Sequence, residues 1–157
     1  MKNLKNNFAK ILIIMSVFFV LSSCKKDNDN NLSDTKSGSF IYQGKTMDIK
    51  TADCRGGDGD GAWLYFMTGD YNALQIRFSG LGDYVIPVGT FTFKNSSGYN
   101  PITNFKGGAV TINNIGDEIN GGTVVIEKEG DKYKIMINTT TEKGPLSGNF
   151  EGTLEKI

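Results

Sequence analysis

The chain has 157 residues, with 17 basic and 17 acidic side chains and no histidine. Zero formal charge argues against a nucleic-acid binder, which needs a basic surface to neutralise phosphate. The missing histidine excludes Ser-His-Asp and Cys-His catalysis, histidine-ligated zinc and the commonest general base.

Met1 to Lys10 carries Lys2, Lys5 and Lys10 and no acid. Ile11 to Leu21 is then an apolar run of 11 residues. A spanning helix needs roughly 18–20 apolar residues and a signal h-region about 7–15, so length decides for a signal peptide over residues 1–23. Cleavage there removes three lysines. It leaves 14 basic against 17 acidic groups, a net charge of −3 that again disfavours nucleic acid. Leu21-Ser22-Ser23-Cys24 closes the leader with small residues before a cysteine.

These four residues resemble a bacterial lipobox. The resemblance implies diacylglyceryl transfer to the Cys24 sulfur, cleavage before Cys24, and a membrane partner held through lipid. Stable anchoring takes two or more chains, at about 0.8 kcal/mol per buried CH₂. The implied location is the cell envelope, lipid-anchored at the outer membrane. Lys25-Lys26-Asp27-Asn28-Asp29 resembles the surface-export signal of Bacteroidetes-type lipoproteins, although Asn28 interrupts the acidic run. A plain solvated tether accounts for it equally well. Residues 24–38 hold the lipidated cysteine and this polar tether, too poor in apolar side chains to fold. Stretched out, residues 25–38 reach at most about 46–50 Å.

Residues 39–157 read as a single β-domain. Leu74, Ile76 and Phe78 alternate with Gln75, Arg77 and Ser79, and Tyr133, Ile135 and Ile137 with Lys132, Lys134 and Asn138. Period-two alternation marks strands with one buried face, as in antiparallel sheet. Turn chemistry falls at Gly69-Asp70, Gly82-Asp83, Asn120-Gly121, Gly130-Asp131 and Lys143-Gly144-Pro145. About nine strands follow, near 39–43, 46–53, 62–68, 72–79, 88–94, 107–114, 121–129, 132–140 and 147–155. Residues 95–106 form the one long loop. The fold class is all-β, an antiparallel meander closing as a barrel or half-open barrel (calycin-like), with a β-sandwich as second choice.

Ile86-Pro87-Val88-Gly89-Thr90-Phe91-Thr92-Phe93 is similar to the PxGTYxF strand of small Bacteroidetes-type β-rich lipoproteins of unknown function. Gly121 to Ile126, Tyr133-Lys134-Ile135 and Leu146 to Leu154 are similar to their closing hairpins. The resemblance spans roughly residues 86–157. It implies a fold and a location and carries no catalytic residue.

Few residues point to chemistry. Asp53-Cys54-Arg55-Gly56-Gly57-Asp58-Gly59-Asp60-Gly61 alternates Asp and Gly, as calcium loops do, but lacks the spacing and distal Glu of an EF-hand. A turn between strands is the favoured reading, and no metal site or cofactor is expected. Cys54 would be the lone cysteine after Cys24 takes lipid, without a disulfide partner or an activating base. Trp63-Leu64-Tyr65-Phe66-Met67 is apolar on both faces. Core packing is the first reading of that strand. Its alternatives are a ligand cavity, or a sugar-stacking platform on the outside. Gly148 and Gly152 fall on the inward face of their strand, where small side chains leave room for a ligand beside Trp63 and Tyr65, or simply permit curvature. Tyr71, Tyr84 and Tyr99 lie near turns, placed either to rim a binding mouth or to pack strand ends.

With no catalytic residue indicated, the expected function is a non-enzymatic binding module for a small molecule, glycan or protein. A structural or inhibitory surface protein and a small carboxylate-based hydrolase are the alternatives.

Overall fold

The computed structural model describes residues 37–157 except Asp58 and Asp70. The expected leader, Cys24 and nearly all of the tether lie outside the described residues. Among the described residues, twelve strands form in chain order. They are β1 (Ser37–Tyr42), β2 (Lys45–Asp48), β3 (Thr51–Gly56), β4 (Gly61–Met67), β5 (Ala73–Ser79) and β6 (Gly89–Phe93), then β7 (Asn104–Phe105), β8 (Gly107–Ile112), β9 (Ile115–Glu129), β10 (Lys132–Thr141), β11 (Gly144–Gly152) and β12 (Glu155–Lys156). The described residues contain no helix.

Ten strands follow one another in the order β12-β3-β4-β5-β8-β9-β10-β11-β1-β2, and β6 and β7 attach alongside β9. The sheet is strongly curled into a half-barrel, as the alternation implied. Most neighbours are antiparallel; β12–β3 and β6–β7 are parallel. Two residues of chain join the edge strand β2 to β3, the strand beside the other edge. Ile49 N–H still donates to Gly38 O (2.9 Å), extending the β1–β2 ladder, while Lys50 N–H donates to Met67 O (2.8 Å), opening the β3–β4 ladder.

Three expectations are corrected. The strand expected near 46–53 divides at Ile49-Lys50 into β2 and β3, because Ile49 still bonds β1 while Lys50 turns to bond β4. The loop expected over residues 95–106 contains β7. Asn120-Gly121 is not a hairpin turn. It lies inside β9, the turn being made upstream by Asn113 and Asn114, both left-handed at φ 50° and 65°. That pair of positive φ values is what a two-residue hairpin requires. The glycines serve instead as a bulge, where the β9–β10 register slips between Thr140 and Thr141. Gly122 holds φ 101°, and a side chain there would collide with the Asn138 carbonyl and Thr139 backbone. Before the bend β9 pairs with β8; after it, with β6 and β10.

Alternate residues of each strand turn inward. Leu64 and Phe66 of β4, Leu74, Ile76 and Phe78 of β5, Val124 and Ile126 of β9, Ile135 and Ile137 of β10, and Phe40 of β1 are all buried. Phenylalanines tie the halves together, with ring centroids 5.4 Å apart for Phe66–Phe150 and 5.1 Å for Phe78–Phe91. Such offset and edge-on pairs add about 0.5–1.5 kcal/mol each beyond area burial.

Gly148 lies between Phe40 and Ile137 in register. A Cβ built there would sit 3.0 Å from Phe40 Cβ and 3.1 Å from Ser39 O, so the space beside this glycine is already filled. Gly148→Leu is therefore expected to destabilise the fold by about 1–3 kcal/mol through overpacking. Urea unfolding of variant and wild type measures it, and an unchanged midpoint would contradict the packing described.

Candidate functional site

The curl separates the four ligand-binding candidates. Gly148 and Gly152 belong to the inward face of β11, Gly148 opposite Phe40 and Gly152 opposite Tyr133. Trp63 and Tyr65 belong to the outer face of β4, because Ala62, Leu64 and Phe66 take the inner one. The aromatic pair and the glycines do not form one site.

What the outer face does hold is a cross-strand cluster. Register places Arg55 and Arg77 on either side of Trp63, and Asp53 and Gln75 on either side of Tyr65. The Trp63 and Tyr65 rings are 6.4 Å apart at 37°. The Arg55 guanidinium lies 4.1 Å over Tyr65 and that of Arg77 lies 4.9 Å over Trp63. Both rings remain partly exposed. Arg55 grips Asp53 with two parallel bonds, Nε to Oδ1 at 3.0 Å and Nη2 to Oδ2 at 3.1 Å. Although Asp53 faces outward, these neighbours leave it only 6 % exposed. Arg77 has no ion pair with a carboxylate among the described residues. Beyond it, Lys106 N–H donates to Arg77 O (2.8 Å), and Lys106 Nζ lies 4.9 Å over the Tyr99 ring.

Sequence reasoning missed Asp53, Arg55, Gln75 and Arg77 as members of this cluster. The usable signal was the hairpin register: once β3, β4 and β5 pair in sequence, the residues flanking Trp63 and Tyr65 follow.

The Asp/Gly run has a different use. Gly57, Gly59 and Gly61 N–H all point at Asp83 Oδ1, at 3.1, 3.1 and 3.4 Å. Asp60 Oδ1 accepts from Gly80 N–H at 3.1 Å. The loop is thus a nest of backbone donors that holds a carboxylate of its own chain, the reverse polarity from a cation cage. Asp58 lies outside the described residues. Among those described, no group of three or more acidic or cysteine side chains gathers to hold a metal. Tyr84 packs its ring over Gly56 and Tyr99 bonds the Ser79 backbone, both at this end of the sheet, whereas the 85 % exposed Tyr71 sits in the β4–β5 connection at the opposite end. The three tyrosines do not rim a common mouth.

Three further buried titratable groups are Cys54, Asp117 and Tyr42. Cys54 is fully buried, and desolvation, with some help from Asp53 and against the charge of Lys156, pushes its thiol up to about 11. Such a thiol is a packing residue and a poor nucleophile. Asp117 is also buried; its Oδ2 accepts from Tyr42 Oη at 2.6 Å and from Lys143 N–H at 3.3 Å. Burial alone would raise its pKa, but the Thr141 and Tyr42 hydroxyls, the Lys143 N–H and the Lys143 charge outweigh burial and hold the carboxyl below the ordinary aspartate value. A general acid needs the opposite shift. Burial and the bond to Asp117 push the Tyr42 phenol up.

Comparison of the chain with protein-family models, with curated proteins and with solved structures yields no match.

The Asp117 shift has a definite pH consequence. A carboxyl lowered in the folded state stabilises fully above its unfolded value near 4, and that contribution is lost as pH falls through the lower folded value. Asp117→Asn should therefore be less stable than wild type near pH 7, with the gap narrowing from about pH 4 downward. Urea midpoints measured across this range check the sign; a gap independent of pH would contradict it.

Proposed function

We propose that the chain is a lipid-anchored cell-envelope protein whose β-domain binds a glycan without converting it, on the outer face of β3–β5. The observation that carries the reading is the Trp63–Tyr65 pair, turned outward and partly exposed on a strand flanked on both sides. Aromatic rings fixed on a sheet give apolar faces edged with polar groups, which suit the faces of sugar rings. Gln75 and Arg77 supply the polar edge, while Arg55 and Asp53 are paired with each other. Absence of histidine and the depressed Asp117 carboxyl weigh against acid–base turnover.

Anchoring rests on the leader and Leu21-Ser22-Ser23-Cys24. Labelling cells with a palmitate analogue should mark the wild type and leave Cys24→Ala unmarked; equal labelling of both would remove the anchor from the proposal.

The second reading is structural, and the guanidiniums over both rings favour it, since the same contacts would serve only to stiffen the outer face. Affinity electrophoresis of the detergent-solubilised full chain through polysaccharide-containing gels separates the two. Glycan binding predicts that a retarding polymer is found and that Trp63→Ala loses at least about tenfold in affinity, the worth of roughly 1.4 kcal/mol. Loss of stability in Trp63→Ala, with no polymer retarding the wild type, would leave only the structural role.

A further inference from the structure

The two arginines of the outer face are not equivalent. Both donor edges of Arg55 used by Asp53 are committed, and the pair is internally neutral. Arg77 lies over Trp63, and none of its guanidinium N–H groups meets a carboxylate among the described residues. Contact with an aromatic face leaves a guanidinium its in-plane donors, the fork that matches carboxylate or sulfate. Lys106 adds a second cation next along the sheet, tied to Arg77 through the backbone. On the other side of the rings Asp53 is neutralised by Arg55. The guanidinium without a carboxylate partner among the described residues therefore lies on the β5 side of Trp63.

Resting on the glycan-binding reading, we propose that the ligand is an acidic polysaccharide, and that Arg77 selects it by pairing with a uronate or sulfate group while the sugar lies against Trp63 and Tyr65. A neutral sugar would leave the Arg77 fork bonded only to water. A carboxylate placed there gains charge-assisted bonds beside an aromatic surface that excludes solvent on one side. Single-stranded nucleic acid shares the anionic and stacking chemistry. It calls for a positively charged groove that follows a phosphate at every nucleotide, whereas beside these rings Arg77 is the one guanidinium without a carboxylate partner among the described residues.

The probes are polygalacturonate, its methyl ester, which keeps the backbone and removes the charge, and oligodeoxythymidine. Binding of the detergent-solubilised full chain to each is measured by titration at low and moderate salt. Wild type is expected to bind polygalacturonate about tenfold or more tighter than the ester, with the difference shrinking as salt rises. Arg77→Gln is expected to abolish that preference while retaining the weaker binding to the ester. Arg77→Lys, which keeps the charge without the fork, serves if Arg77→Gln does not fold, and is also expected to weaken only the acidic polymer. Equal or tighter binding of the ester overturns the acidic preference and leaves the aromatic platform standing. Binding of neither polymer overturns both together. A preference for polygalacturonate that both variants keep removes Arg77 from the site, and tighter binding of oligodeoxythymidine overturns the polysaccharide in favour of nucleic acid.

Discussion

Strand β9 belongs to both halves of the curled sheet, and it can do so only because the chain bends at Gly121 and Gly122. A straight strand of 15 residues would span roughly 50 Å and hold its neighbours in an open, gently twisted ribbon. The bulge turns that ribbon so that the inner face of β3–β4–β5–β8 meets the inner face of β10–β11–β1. Phe66 reaches Phe150 from one half to the other, and Phe78 reaches Phe91. The core could not form around these pairs without the bend. The same curvature brings β2 and β3 near enough for Ile49, bonded to β1, and Lys50, bonded to β4, to link them.

Curling in this way decides which side chains are left facing outward. The inward positions are taken by phenylalanine and aliphatic side chains, and even the glycine at 148 is matched by Phe40. The polar groups that do enter the interior satisfy one another: Tyr42 and the Lys143 N–H bond Asp117, and Thr139 Oγ1 donates to Leu146 O. At one end the glycine nest is filled by Asp83. Each of these is a group already engaged by its own chain. The outer face of β4 differs, since it presents large rings where an exposed strand ordinarily presents small or charged side chains.

The fold was legible where alternation was clean. Leu74-Gln75-Ile76-Arg77-Phe78 announces its buried face, and β5 obeys it. It was not legible at Asn120-Gly121, because this dipeptide serves a hairpin turn and a bulge alike and only the pairing partner distinguishes them; the residue with positive φ here is the next one, Gly122. Asn113-Asn114, lacking glycine, made the turn instead. The two-residue strands β7 and β12 carry too little pattern to be seen. At the site, Trp63-Leu64-Tyr65-Phe66-Met67 is apolar throughout, so periodicity was silent about which face turns inward. The decision came from the neighbours: Cys54, Leu64 and Ile76 form one buried cross-strand row, which sends Trp63 and Tyr65 outward.

Preorganisation follows from that row. Trp63 and Tyr65 stand on a strand bonded on both edges, with their backbone fixed by the buried Leu64 and Phe66 between and beside them. Their rotamers are further held by the guanidiniums lying over the rings. Ordering mobile side chains at an interface costs about 0.5–1.5 kcal/mol each, and rings already held avoid most of that cost. Asp53 explains why two arginines are needed for this. A carboxylate covered to 6 % exposure must be paired, so Arg55 cannot turn to a ligand without stranding a buried charge. Arg55 consequently positions Tyr65, whereas Arg77, with no carboxylate partner among the described residues, retains its donors for whatever lies against Trp63.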